Sequence, residues 1–337
     1  MSLFPITLLL FPSLAAQDEE PLEVVTTLGV LASLAEEVGG ARVHAQALAD
    51  PRQDPHFVEP RPTLMQKARA ADLFVEVGLQ LELWAEKVAA GSGNTRIQTG
   101  QPGRVIASTG IQTLELPAVL SREWGDVHPY GNPHVWLDPL NVKTMAENVC
   151  AALCKLDGPH AAEYRANLER FQQRIDEALF GPKLVEEVGG RQLGRLARAG
   201  RLAEYLEREE LAGALGGWLK KAEPLHGRPV VTYHKTSAYL ADRFGFLVPI
   251  EIEEKPGIPP SARHRDRVLE LMRAQKVKTI LQEVFYERSA ADYLAEKTGA
   301  RAVVVPIDVG SEVGVEDYFA LIDRVLDELV RSETSTP

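Results

Sequence analysis

The chain has only two cysteines in 337 residues. Cys150 and Cys154 stand four apart in a stretch that reads as helix, so both face the same way. A disulfide at that spacing would strain a helix, and the pair reads as two small apolar residues of a core. No cluster of lysine and arginine stands out, and the formal net charge is -11, which argues against a nucleic-acid surface. Beyond the first residues no apolar run approaches the roughly 20 residues needed to cross a bilayer. Gly-x-Gly-x-x-Gly and Gly-x-x-x-x-Gly-Lys-[Ser/Thr] are absent as strand-to-helix motifs, and so are Gly-x-Ser-x-Gly and His-Glu-x-x-His. These absences remove the usual signatures of nucleotide binding, serine hydrolysis and zinc proteolysis.

What is present is enough apolar residue, 45%, to pack a sizeable core. The length suits two lobes rather than one. Residues 1–16 form an apolar run ending in Ala15-Ala16, followed by the polar run Gln17-Asp18-Glu19-Glu20. That is the pattern of a secretory leader, although the start lacks positive charge. No cysteine follows it to carry a lipid anchor, so an exported, soluble protein is expected.

Strand-like and helix-like segments alternate. Strands are expected at 24–30, 43–48, 72–77 and 104–108, with helices between them. Asp138-Pro139 has the form of a helix N-cap followed by a first-turn proline. The helix it opens reaches about 156 and is broken at Asp157-Gly158-Pro159. The alternation resumes with strands at 228–233, 247–252, 277–282 and 301–305 and a last helix at 315–330. This implies an α/β fold of two lobes, each a mostly parallel sheet flanked by helices. The expected boundaries are an N-terminal lobe at 22–158, a linking helix at 159–187, a glycine-punctuated helical insert at 188–224 and a C-terminal lobe at 225–334.

Four residues sit in distinctive frames at the ends of apolar runs or in proline-bounded loops. They are His56 in Asp54-Pro55-His56, His134 in Asn132-Pro133-His134, His234 after Val231-Thr232-Tyr233, and Asp308 in Pro306-Ile307-Asp308. Three of them follow predicted strands, and ligands of open parallel sheets bind beyond the carboxyl ends of strands. Three imidazoles and one carboxylate make a full shell for a divalent transition metal, zinc above all. A full shell leaves no position for water or substrate, so it suits holding a metal rather than using one. A metal-dependent hydrolase, which needs an open position and a base, is the weaker alternative. His128 reads as a loop residue or a secondary metal contact, the former preferred. Asp138 reads as a cap, and Glu283 as a group that orients a ligand imidazole or caps a turn. His44, His160, His226 and His264 read as structural or exposed.

At these residues the chain resembles the metal-binding solute receptors of ABC importers for zinc, manganese and iron. The likeness rests on residues 56–60, 71–84, 132–139, 164–168 and 230–234, and on Asp308 before Gly310. It covers about residues 22–332. It implies two α/β lobes joined by one long backbone helix, with the metal between them. It also implies His56, His134, His234 and Asp308 as ligands, and an ABC transporter membrane permease as partner. Histidine at the third ligand position is typical of the zinc members, and a carboxylate there of manganese or iron members. A monomeric, non-enzymatic, free periplasmic zinc receptor is therefore expected, with Mn2+ or Fe2+ as the alternative cargo. The zinc members often carry a long histidine-rich loop before the second ligand. Here residues 115–133 offer only Glu115, Glu123, Asp126 and His128, so a metal-gathering loop is not expected.

Overall fold

The computed structural model describes residues 20–117, 128–255 and 257–335. The leader expected at 1–16, and Glu123 and Asp126 of the loop before His134, lie outside the described residues.

Two runs of β-branched and apolar residues set up two sheets. In the first, β1 (Leu22–Thr26), β2 (Val43–Ala47), β3 (Leu73–Glu76) and β4 (Arg104–Ile106) run parallel in the order β2-β1-β3-β4. Val24 lies between Ala45 on one side and Leu73 on the other. Val24, Val25, Leu73, Phe74 and Val75 are all fully buried, as expected for a parallel sheet covered on both faces. The covering helices include α1 (Gly29–Gly39), α2 (Pro62–Arg69), α3 (Leu83–Ser92) and α4 (Pro139–Leu156). β1 stops short of the expected strand 24–30 because the chain turns into α1 at Gly29.

Next comes α5 (Ala161–Phe180), 20 residues without an internal glycine or proline. At 1.5 Å per residue it is about 30 Å long. Ala161, Tyr164, Asn167, Phe171, Ile175 and Leu179 recur every three or four positions and are all buried. This stripe packs on α1 and α4. The helix ends at Gly181, so the stretch 159–187 holds α5 and then α6 (Pro182–Val188). The short helices α7 (Gly190–Arg198), α8 (Leu202–Arg208) and α9 (Gly217–Lys221) follow, and α9 packs back on α5.

The second sheet is parallel, β5 (Val230–Thr232), β6 (Thr279–Glu283) and β7 (Arg301–Val305), in that order. Its helices are α10 (Ala238–Phe244), α11 (Ala262–Gln275), α12 (Ser289–Thr298) and α13 (Tyr318–Thr334). The strand expected at 247–252 is not formed as a ladder. The segment runs beside β5 through two isolated parallel bridges, Pro229 to Leu247 and Thr232 to Glu251. Pro229 and Pro249 have no N–H to give to a ladder there. Asp138 is the cap of α4, accepting from Leu140 N at 2.9 Å. It also takes two bonds of 2.8 Å from Arg243 on α10, a buried ion pair between the two halves. Cys150 and Cys154 are free thiols with their sulfurs 3.9 Å apart.

Candidate metal centre

His56 and His134 are held by the same local device. In Asp54-Pro55-His56, Asp54 Oδ1 accepts from His56 N at 3.0 Å and lies 2.7 Å from His56 Nδ1. In Asn132-Pro133-His134, Asn132 Oδ1 accepts from His134 N at 3.0 Å and lies 2.9 Å from His134 Nδ1. The proline fixes the backbone between anchor and imidazole. A tryptophan then ties each tight turn to the core. Trp84 Nε1 donates to Pro55 O at 2.8 Å, and Trp136 Nε1 donates to Ile307 O at 2.7 Å. The second of these binds the His134 turn to the residue before Asp308.

His234 follows β5 at its carboxyl end. Its Nδ1 lies 2.6 Å from Glu253 Oε2. All three Nδ1 atoms are thus engaged, which leaves Nε2 on each ring to face the cleft. The rings stand close, with centroids 5.2 Å apart for His56 and His134, 5.8 Å for His56 and His234, and 5.7 Å for His134 and His234. One nitrogen of each lies within 4.8 Å of the others, a spacing that suits a shared metal ion. A pocket that two of them, His56 and His234, line together with Asp54, Phe57, His128, Gly257 and Tyr286 holds about 10 Å³. That is room for an ion or one water, not for an organic solute.

Asp308 is not part of this three-histidine group. It lies past β7, buried, with Oδ2 accepting from Gly29 N at 2.9 Å. Oδ1 accepts from Val30 N at 2.7 Å and from Val309 N at 2.9 Å. Leu28, at the cap position of α1, has no side-chain oxygen, so Asp308 caps that helix from the other half of the chain. Gly29 permits the approach, since a Cβ there would lie 2.2 Å from Val309 O. Each carboxylate oxygen has two lone pairs, so Oδ2 keeps one for a further partner.

The electrostatics push the imidazoles of the site in different directions. Burial, and then the charges of His56 and His234, hold His134 well below the usual histidine range. Burial also pushes His128 down to about 3, with His56 adding to it. His234 goes the other way. Burial opposes its charge, but the bond to Glu253 and that carboxylate's charge prevail and raise it. Burial raises Asp308 to about 7 against its three amide bonds.

The sequence reading and the structure part at three places. His128, preferred as a plain loop residue, has its Nε2 3.2 Å from His56 Nε2 and faces the same pocket. Glu253 was not singled out at all, yet it is the carboxylate on His234 Nδ1. Its signal was its position just past the apolar segment 247–252, at the same sheet edge as His234. Glu283, offered as a group orienting an imidazole or capping a turn, is buried near His234 without a hydrogen bond to it, and its Oε2 has no hydrogen-bond partner among the described residues. Three of the remaining four histidines bond elsewhere, His44 to Glu23, His160 to Asp157 and His264 to Glu251 O.

The family model described as zinc-uptake complex component A, periplasmic, matches residues 24–179 and 204–332. The unmatched stretch between them holds α6 and α7. The iron-binding protein YfeA of Yersinia pestis is 27% identical over 316 residues, covering 92% of this chain and 85% of that one. The zinc-binding protein TroA of Treponema pallidum is 23% identical over 330 residues, covering 94% of this chain and 90% of that one. Among solved structures, one of ZnuA aligns with a TM-score of 0.68 at 20% identity, covering 94% of this chain and all of the other. FpvC of Pseudomonas aeruginosa, solved with Mn2+, aligns at 0.69 and 21% identity, covering 93% and 98%. With this fold and a model match over most of its length, the chain belongs to the zinc-uptake complex component A (ZnuA) family, whose members are metal-binding receptors of ABC transporters and not enzymes.

Proposed function

We propose that this protein is a monomeric periplasmic receptor that captures one zinc ion between its lobes and delivers it to an ABC transporter permease. The ligands in this reading are Nε2 of His56, His134 and His234 and the Asp308 carboxylate. The lobes are residues 22–158 and 225–334, with 159–187 as the link and 188–224 as the insert. The observation that carries the reading is that all three imidazoles have Nδ1 occupied and converge by their other edge. Such outer bonds fix the tautomer and aim of metal-binding histidines. A nitrogen-rich shell of three imidazoles and one carboxylate favours zinc over harder cations. Manganese and iron are the alternative cargo, in keeping with the iron- and manganese-bearing relatives.

Capture needs little rearrangement. Nitrogen atoms replace the ion's water, and the continuous α5 and the buried Asp138–Arg243 pair oppose wide movement of the lobes. The test is the metal content of the full chain and competition among Zn2+, Mn2+ and Fe2+, beside His234→Ala. One tightly held zinc per chain, lost or much weakened in His234→Ala, is expected. Selective uptake of manganese or iron would overturn zinc as the cargo, and no tight divalent metal at all would overturn the receptor.

A further inference from the structure

Glu253 does two things at once. Its Oε2 lies 2.6 Å from His234 Nδ1, and its Oε1 accepts from Gly257 N at 2.6 Å. The carboxylate is buried and follows Ile252, whose N–H is fixed on Thr232 O at 2.8 Å. Glu253 N is fixed likewise on Tyr233 O at 2.9 Å. It therefore has a rigid base and two strong donors, one on each oxygen. Gly257 in turn faces Phe57, the neighbour of His56 from the other half of the chain. A Cβ on Gly257 would stand 3.3 Å from Phe57 Cζ, and its φ of +78° is strained for any other residue. Lys255 O accepts from Ile258 N at 3.0 Å, which closes the turn around it. A short chain of contacts thus runs from His234 through Glu253 to Gly257, and on to Phe57 beside His56.

We propose that Glu253 is a positioning residue for metal capture that couples the ligand nitrogen of His234 to the Gly257 amide and so to the mouth of the site. The inference rests on the receptor reading above. A metal on Nε2 makes the Nδ1–H a stronger donor, so the carboxylate is held harder on its Oε2 side. With its plane fixed, the other oxygen is fixed too, and the Gly257 N–H stays bonded. Coupling of this kind is reciprocal: whatever draws Gly257 off its oxygen weakens the metal by the same factor by which the metal protects Gly257. Phe57 and Ile258 are exposed beside this contact, so a docking partner can reach it from outside.

Hydrogen exchange of the full chain with and without zinc tests this, together with zinc affinity by chelator competition. Zinc is expected to slow exchange at the Gly257 amide in the wild type. In Glu253→Gln one of the two terminal atoms becomes an NH2 group, so one of the two donors, which sit on different oxygens, loses its acceptor. That variant is expected to lose the protection and to bind zinc about 10- to 100-fold more weakly. Glu253→Asp, which keeps the charge, should recover part of both. Gly257→Ala leaves the His234 pair intact and should weaken zinc several-fold, which covers the case in which Glu253→Gln does not fold. An unchanged Gly257 amide on zinc binding, or a Glu253→Gln protein that folds and binds zinc as the wild type does, would overturn the coupling. A wild type that takes up no divalent metal would instead overturn the receptor reading itself.

Discussion

One oxygen of Asn132 holds His134 twice, by its backbone N–H at 3.0 Å and by Nδ1 at 2.9 Å. The amide nitrogen of the same side chain donates to Lys235 O at 2.8 Å and to Glu115 Oε2 at 2.8 Å. Asn132 therefore joins one candidate ligand, His134, to the neighbour of another, His234. Asn132→Ala removes all of these bonds and leaves His134 free to turn. Zinc affinity is expected to fall about 10- to 100-fold. Stability is expected to fall by about 1–3 kcal/mol, since buried donors lose their partner. Chelator competition and urea unfolding measure the two. Unchanged zinc binding would show that the ring is held by packing alone.

His128 makes the second prediction. Its Nε2 is 3.2 Å from that of His56, and its low pKa keeps it neutral. It lines the same small pocket as His56 and His234. His128→Ala is expected to slow zinc association and to weaken binding by on the order of threefold to tenfold, well short of the loss in His234→Ala. Stopped-flow uptake from a zinc-loaded chelator reads the rate. Wild-type rates in the variant would make His128 a bystander.

The pH dependence follows from two groups. Asp308 is raised to about 7 by burial, and His234 is raised by Glu253 despite burial. Each holds its proton to a higher pH than the free side chain does. In the proposed ligand set, zinc needs the Asp308 anion and a bare Nε2 on His234, whereas His134, with its lowered pKa, has no proton to lose. Zinc affinity should therefore fall as pH drops through about 7, with on the order of one proton released per zinc near neutrality. In the metal-free protein the sign is opposite. A raised folded pKa gives stability that is fully present below the unfolded pKa and is lost as pH rises through the folded value. The rise in melting temperature on adding zinc should thus be larger at pH 8 than at pH 6. Calorimetry in buffers of different ionisation enthalpy counts the protons. Zinc affinity that is flat from pH 8 to pH 6 would contradict the assignment.

How much of this was legible in the sequence depended on distance along the chain. The frames around His56 and His134 are local: anchor, proline and imidazole lie within three residues. The alternation of strands and helices reported the parallel sheets, because residues buried on both faces leave long apolar runs. Glu253 is 19 residues from the histidine it holds, across a segment that only looks like a strand. Asp308 caps α1 from 279 residues away at Gly29, so its use as a cap has no local trace. His128 stands in a loop whose polarity suggests solvent, and only the fold brings it onto His56.

The last prediction concerns Asp138 and Arg243, which join the start of α4 to α10. Both side chains are only 7% exposed, and the pair is bidentate. Removing one partner leaves the other charge buried without its counter-ion, a loss of about 3–5 kcal/mol. Arg243→Met is expected to show it in urea unfolding. Asp138 sits four residues after His134 and also caps α4, so a released carboxylate would turn toward solvent and loosen the His134 turn. Zinc binding should weaken along with stability. Adding Asp138→Asn to Arg243→Met removes the stranded charge while keeping an oxygen for Leu140 N. Much of the lost stability should return, since a buried pair contributes less than either unpaired charge costs. If the double variant is no more stable than Arg243→Met, the loss comes from packing of the arginine stem and not from the charge left behind.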